Sequence, residues 1–220
     1  INKNYVEVKV DTDTLYQIDP VSGDAIVEVV YENHPVKGEL IVVKKGDVLD
    51  GYGKDFIYEE QNLSGAVFAV YAAEDIYTAD FQKDGNGNRI LEYAKDTLVA
   101  ELTTDESGKA VLKDLPLGAY QVVEKTAPEG FVLNPEEQKV TFAYVDQDTP
   151  VVVENVEWIN ARQKVEIAVI KQDAENEQVL AGAEFGLYAK EHIKAGEKVL
   201  VEADTLLAKA VTGEDGKAVL

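Results

Sequence analysis

Two lysines, one glutamate and two asparagines stand where side-chain chemistry could occur. Lys171 ends an alternating run in which Val165, Ile167 and Val169 share its face, and Lys44 ends a similar run behind Leu40 and Val42. A lysine turned toward a core is costly unless it is neutral or paired. The other resolution is a strand-end lysine that snorkels to water, and the pattern alone leaves both open. Glu124 closes the run Gly118-Ala-Tyr-Gln-Val-Val-Glu124 and shares a face with Tyr120 and Val122. Asn33 precedes Lys44 by 11 positions and Asn160 precedes Lys171 by 11, so the two junctions share one structural role. Removed from water, a neutral amine is a nucleophile, and a protonated carboxyl can polarise a carbonyl.

Other chemistries find little support. There is no Ser/His/Asp set, no phosphate-binding glycine loop and no carboxylate pair in a cleft-forming context. With no Cys, thiolate zinc and iron–sulfur sites and disulfides are excluded. His34 and His192 are too few and too far apart to suggest a metal site. Asp84-Gly-Asn-Gly-Asn88 faintly resembles a calcium loop. Arg89 and Lys95, however, occupy the positions that calcium would need as Gly and bidentate Glu. No cofactor is expected, and the chain is not read as an enzyme acting on outside substrates.

Those residues must be positioned by elements that the rest of the sequence outlines. The 220 residues are 45% hydrophobic, enough to bury cores. The net charge of -21 argues against nucleic acid, whose phosphates need a basic face, and against anionic membrane surfaces. Its plainest use is solubility and mutual repulsion. No apolar run approaches the roughly 18 residues of a membrane span. No signal peptide is visible and Met is absent even at position 1, so an excised or processed segment is expected.

Self-comparison reveals a duplication. Leu63-Ser-Gly-Ala-Val-Phe-Ala-Val-Tyr71-Ala72 recurs as Leu180-Ala-Gly-Ala-Glu-Phe-Gly-Leu-Tyr188-Ala189, at an offset of 117. Asp96-Thr-Leu-Val-Ala through Gly108-Lys-Ala-Val-Leu112 recurs as Asp204-Thr-Leu-Leu-Ala through Gly216-Lys-Ala-Val-Leu220, at an offset of 108. The first copy thus carries 9 extra residues between the blocks, around the turn at Asp84–Arg89. The period exceeds that of solenoid repeats, so each copy should be a globular unit. Short alternating runs at Ala66–Tyr71, Ala119–Val123, Lys139–Tyr144 and Pro150–Trp158, separated by turn signals at Glu106–Gly108 and Ala127–Gly130, predict an all-β sandwich. Ala72–Ile76 is at best one helical turn. Val6, Val8, Val10 and Ile26–Tyr31 alternate without the opening repeat blocks. The expected organisation is therefore three units. Residues 1–33 are the last strands of a preceding, truncated domain, 34–160 a complete sandwich, and 161–220 the incomplete beginning of another.

The blocks Leu-Ser/Ala-Gly-Ala-x-Phe-x-Val/Leu-Tyr, Leu115-Pro-Leu-Gly-Ala-Tyr120 and Val123-Glu-Lys-Thr-Ala-Pro-Glu-Gly-Phe131, with the opening strand ending Lys171-Gln-Asp173, resemble the Cna-B (SpaA-type) domains of Gram-positive surface proteins and pilins. The resemblance covers the chain from about residue 36 onward and implies tandem prealbumin-like, Ig-like β-sandwiches. It further implies an amide between a first-strand Lys and a last-strand Asn, assisted by a central Glu. By motif position these are Lys44, Glu124 and Asn160. Lys45 competes with Lys44 because Lys45-Gly-Asp47 mimics Lys171-Gln-Asp173, and Asn155 competes with Asn160. Lys171 would open the next triad and Asn33 would close the previous one. The implied protein is a stalk or spacer of a cell-wall-anchored adhesin or pilin, extracellular, with neighbouring pilin subunits as partners. A second reading is a module binding a host protein or glycan through the Tyr77–Arg89 loop, the least repeat-like segment.

Overall fold

The computed structural model describes residues 17–30, 34–78 and 83–220. All regular structure among them is β. A short hairpin comes first, β1 (Gln17–Ile18) with β2 (Ala25–Ile26). Then follow β3 (Lys37–Tyr52), β4 (Phe56–Asn62), β5 (Val67–Ala72), β6 (Ile76–Tyr77), β7 (Leu91–Tyr93) and β8 (Leu98–Thr103). They are continued by β9 (Lys109–Leu115), β10 (Gly118–Thr126), β11 (Glu137–Phe142) and β12 (Val151–Asn160). The second copy holds β13 (Ala168–Ile170), β14 (Glu184–Tyr188), β15 (Ile193–Ala195), β16 (Lys198–Val201), β17 (Leu206–Val211) and β18 (Lys217–Val219).

Between Lys37 and Asn160 two sheets face each other. One runs β11-β10-β5-β8. In the other, β3 is central, with β12 along one side and β9 followed by β4 along the opposite side. The pleat sends alternate residues inward. Leu40 and Val42 on β3, Phe68 and Val70 on β5, Tyr120 and Val122 on β10, and Val156 and Trp158 on β12 form one core. Phe68 and Trp158 meet with ring centroids 4.9 Å apart. Gly38 is needed for this packing, because a Cβ there would lie 2.7 Å from the Phe142 ring.

The β12–β3 pairing is parallel, in register from Val151 opposite Lys37 to Asn160 opposite Gly46. The first and last strands of this sandwich are therefore neighbours that run the same way. A parallel pair puts chain entry and chain exit at opposite ends of the unit.

Several sequence expectations change in the structure. Between β5 and β6 the chain bends at Ala73 and Glu74 and makes no helical turn. The Val165–Lys171 run shrinks to β13, with Val165 84% exposed, because no second sheet covers it among the described residues. Of the leading segment, Val6, Val8, Val10, Tyr31 and Asn33 lie outside the described residues, and Ile26–Tyr31 contributes only the end of β2.

Candidate functional site

Three of the predicted side chains converge at one end of the core. On β3 the inward positions are Gly38, Leu40, Val42, Lys44 and Gly46, so the alternation that buries Leu40 and Val42 carries Lys44 in after them. On β12, Val156, Trp158 and Asn160 turn the same way. On β10, Tyr120, Val122 and Glu124 point back from the facing sheet. Lys44, Glu124 and Asn160 are all buried, with Lys44 wholly shielded from solvent.

The contacts tie the three groups together. The Asn160 amide donates from Nδ2 to both Glu124 oxygens at 2.9 Å. Its Oδ1 is buried with no hydrogen-bond partner among the described residues. Lys44 Nζ lies 3.8 Å from Glu124 Oε1, an ionic distance beyond a hydrogen bond. Nζ donates instead to the Lys45 carbonyl at 2.9 Å and the Trp158 carbonyl at 3.2 Å. Both hydrogen bonds of Nζ therefore go to main-chain carbonyls and neither goes to the Glu124 carboxyl. Burial pushes the Lys44 pKa below the ordinary lysine value, and Glu124 pulls only partly against it.

The backbone frame explains why Lys44 ends up here. Its N–H donates to Gly108 O at 2.8 Å and its carbonyl accepts from Leu63 N at 2.9 Å. Lys44 thus sits where the β9 partner gives way to the β4 side. Gly108 holds φ +71°, and a Cβ on it would lie 2.8 Å from Lys44 O, so only glycine fits. Gly46 matters equally. A Cβ there would come 2.7 Å from Leu63 Cδ1 and Phe131 Cε1 and 2.9 Å from Asn160 O.

The two alternatives fall on the outer face. Lys45 makes solvent-side ion pairs with Glu157 at 2.9 Å and Glu60 at 3.3 Å, which raise its pKa. Asn155 is exposed on β12, one residue out of phase with Val156, Trp158 and Asn160. Lys171 is exposed at the end of β13, its Nζ donating to Gln172 O at 3.1 Å. Asn33 lies outside the described residues.

Other groups at the site carry no residue-type signal in the sequence. Asn134 donates its backbone N–H to Glu124 Oε2 at 2.8 Å, and its side chain reaches Ile159 O at 3.4 Å. The segment between β10 and β11 is pinned over this end by Val132 N to Ala161 O and Gln163 N to Gly130 O, both 2.9 Å. There Arg162 lies 5.6 Å from the Phe131 ring centroid. The Thr-Ala-Pro-Glu-Gly-Phe motif marks that segment as a turn, but only the fold shows that it closes the site.

Asp84 spends its carboxylate on the loop itself, accepting from Asn86 N and Asn88 N at 2.8 Å. Arg89 stacks 4.9 Å over the Tyr77 ring. Among the described residues no group of three or more His, Cys, Asp or Glu could hold a metal ion, and no helix is long and apolar enough to cross a membrane.

Residues 55–157 match the protein-family profile for SpaA, a prealbumin-like fold domain. The match contains Glu124 but begins after Lys44 and ends before Asn160. No curated protein matches the chain. Among solved structures, the Bacillus anthracis TIE protein is similar at 24% identity and TM-score 0.53, over 84% of this chain and 26% of that one. A minor pilin of Streptococcus agalactiae follows at 21% identity and TM-score 0.37, over 59% of this chain and 46% of that one. BcpA, the major pilin subunit of Bacillus cereus, shows 20% identity and TM-score 0.35, over 62% of this chain and 31% of that one. This chain therefore spans about a quarter of the TIE protein, and the likeness is one of fold. Residues 55–157 of the chain are thereby identified as a SpaA-type, prealbumin-like fold domain.

Proposed function

We propose that the protein is a structural stalk or spacer of a Gram-positive surface protein or pilin, stiffened by one intramolecular amide between Lys44 and Asn160. The observation that carries this reading is the buried cluster itself: an amine, a carboxyl and an amide shielded together from solvent, with Lys44 and Asn160 on adjacent parallel strands. The neutral Lys44 amine attacks Cγ of Asn160. A new C–N bond forms, the bond from Cγ to Nδ2 breaks, and Nδ2 leaves as ammonia. Glu124 takes the proton released by the amine and returns one to the departing nitrogen, which already rests on its two oxygens. Folding supplies the proximity that makes the step intramolecular. It occurs once per chain, so it is maturation and not turnover.

The mechanical consequence follows from the parallel register. Tension entering at Lys37 would run along β3 to Lys44, cross to Asn160 and leave at the end of β12. Residues between the two would be bypassed. The surface location and pilin-type partners extend the family likeness of residues 55–157 to the whole chain.

Intact-mass measurement of the purified chain tests the proposal: it should be lighter than its sequence mass by one ammonia, and Glu124→Ala should restore the full mass. A parent chain at full sequence mass would refute it.

A further inference from the structure

The two copies differ at a place that the shared blocks do not reveal. Leu63 follows Lys44 by 19 positions, whereas Leu180 follows Lys171 by 9. In the second copy the short path is a tight turn, with Asp173 N donating to Gln178 O and Glu177 at φ 59°. In the first copy the ten additional residues become a hairpin. β3 runs on past Gly46 and pairs with β4 from Lys45 opposite Asn62 to Tyr52 opposite Phe56. None of this extension belongs to the sandwich core. All of β4 is exposed.

The tip of the hairpin touches the second copy. Tyr52 donates its hydroxyl to Leu206 O at 3.0 Å. Lys198 Nζ donates to Asp50 O at 3.1 Å and lies 3.5 Å from the Asp50 carboxylate. The contacts reach β17 and the first residue of β16. Tyr52 and Phe56 stack with centroids 5.2 Å apart, and Phe56 and Tyr58 at 6.4 Å, which stiffens the ribbon on its way out.

We infer that the Lys45–Asn62 hairpin is an inter-module strut whose partner is the β16–β17 region of the following copy. An insertion that adds nothing to its own core, yet places a hydroxyl and a carboxylate on the next module, fixes the angle between modules. Its contacts are polar and peripheral, so it orients the modules without fusing their cores. The inference is independent of whether Lys44 and Asn160 are joined.

The absence of native Cys allows a direct test on the full chain. Spin labels on Glu106→Cys and Glu191→Cys, both exposed, report the distance between modules. The strut predicts one narrow distance distribution. Tyr52→Phe combined with Lys198→Glu should broaden it several-fold, while the difference between measured mass and sequence mass stays that of the parent. Replacing Lys45–Asn62 by the short turn Gln172–Val179 should broaden it at least as much; if that exchange fails to fold, the point variant carries the test. A broad distribution in the parent, or a narrow one that survives the point variant, overturns the inference.

Discussion

Lys44 and Lys171 are held by the same backbone hooks and live in opposite environments. Each N–H donates at 2.8 Å to the carbonyl of a glycine at φ +71°, Gly108 or Gly216, and each carbonyl accepts at 2.9 Å from a leucine N–H, Leu63 or Leu180. Each amine bonds the carbonyl of the next residue. The neighbouring threonines also match: Thr104 donates to Leu63 O at 2.9 Å and Thr212 to Leu180 O at 2.7 Å. Yet Lys44 is buried and Lys171 exposed. Lys44 is covered by β10, which brings Glu124, and flanked by β12, which brings Trp158 and Asn160. Among the described residues nothing equivalent covers Lys171. A local motif places the lysine, but a second sheet and a parallel neighbour are needed to desolvate it.

Breaking the cross-link should separate the two lysines most. Lys44→Ala or Asn160→Ala should lower unfolding stability by about 4–5 kcal/mol, a figure borrowed from disulfides closing loops of this size. Lys171→Ala should leave thermal unfolding unchanged. Denaturant titrations of the three variants make the comparison.

A steric change at the same site should have the next largest effect. Gly46→Ala forces a Cβ against Leu63, Phe131 and the Asn160 carbonyl, and overpacking of this kind costs about 1–3 kcal/mol. Asp173→Ala, at the matching place after Lys171, meets no packed core and loses only exposed turn hydrogen bonds to Glu175 N and Asn176 N, so it should cost less in the same melts.

A pH series sharpens the contrast further. In Asn160→Ala the amine stays free and buried. Its folded pKa lies below the ordinary value of 10.5, so the unfolded chain binds more protons between the two values and stability rises with pH across that window. Below the lowered folded value the full cost of burying the charge remains. Adding Lys44→Met should remove the slope; a slope that persists would assign it to other groups. The smallest effect belongs to Lys45→Ala, which loses only outer-face ion pairs and should leave the ammonia-deficient mass intact.

Much of this architecture was legible in the sequence because alternation reports burial directly. Leu40, Val42 and Lys44 share a face in the sequence and share it in the fold, as do Tyr120, Val122 and Glu124. What alternation does not encode is which strands become neighbours. The parallel β3–β12 pairing joins segments more than a hundred positions apart, and only that pairing sets Trp158 O and Asn160 beside Lys44. The Asn134 N–H on Glu124 is a main-chain group with no residue-type signature. The β3–β4 hairpin was hidden because Lys45-Gly-Asp47 imitates Lys171-Gln-Asp173 while the turns behind them differ by ten residues. The Val165–Val169 run reads as a buried strand, but Val165 and Ile167 stay exposed for want of a covering sheet.

The proposed Lys44–Asn160 amide is a covalent bond and can be mapped. Proteolysis of the denatured parent chain followed by fragmentation mass spectrometry should yield a branched peptide that joins the Lys44 segment to the Asn160 segment. Two linear peptides, one with a free Lys44 amine and one with an intact Asn160 amide, would contradict it.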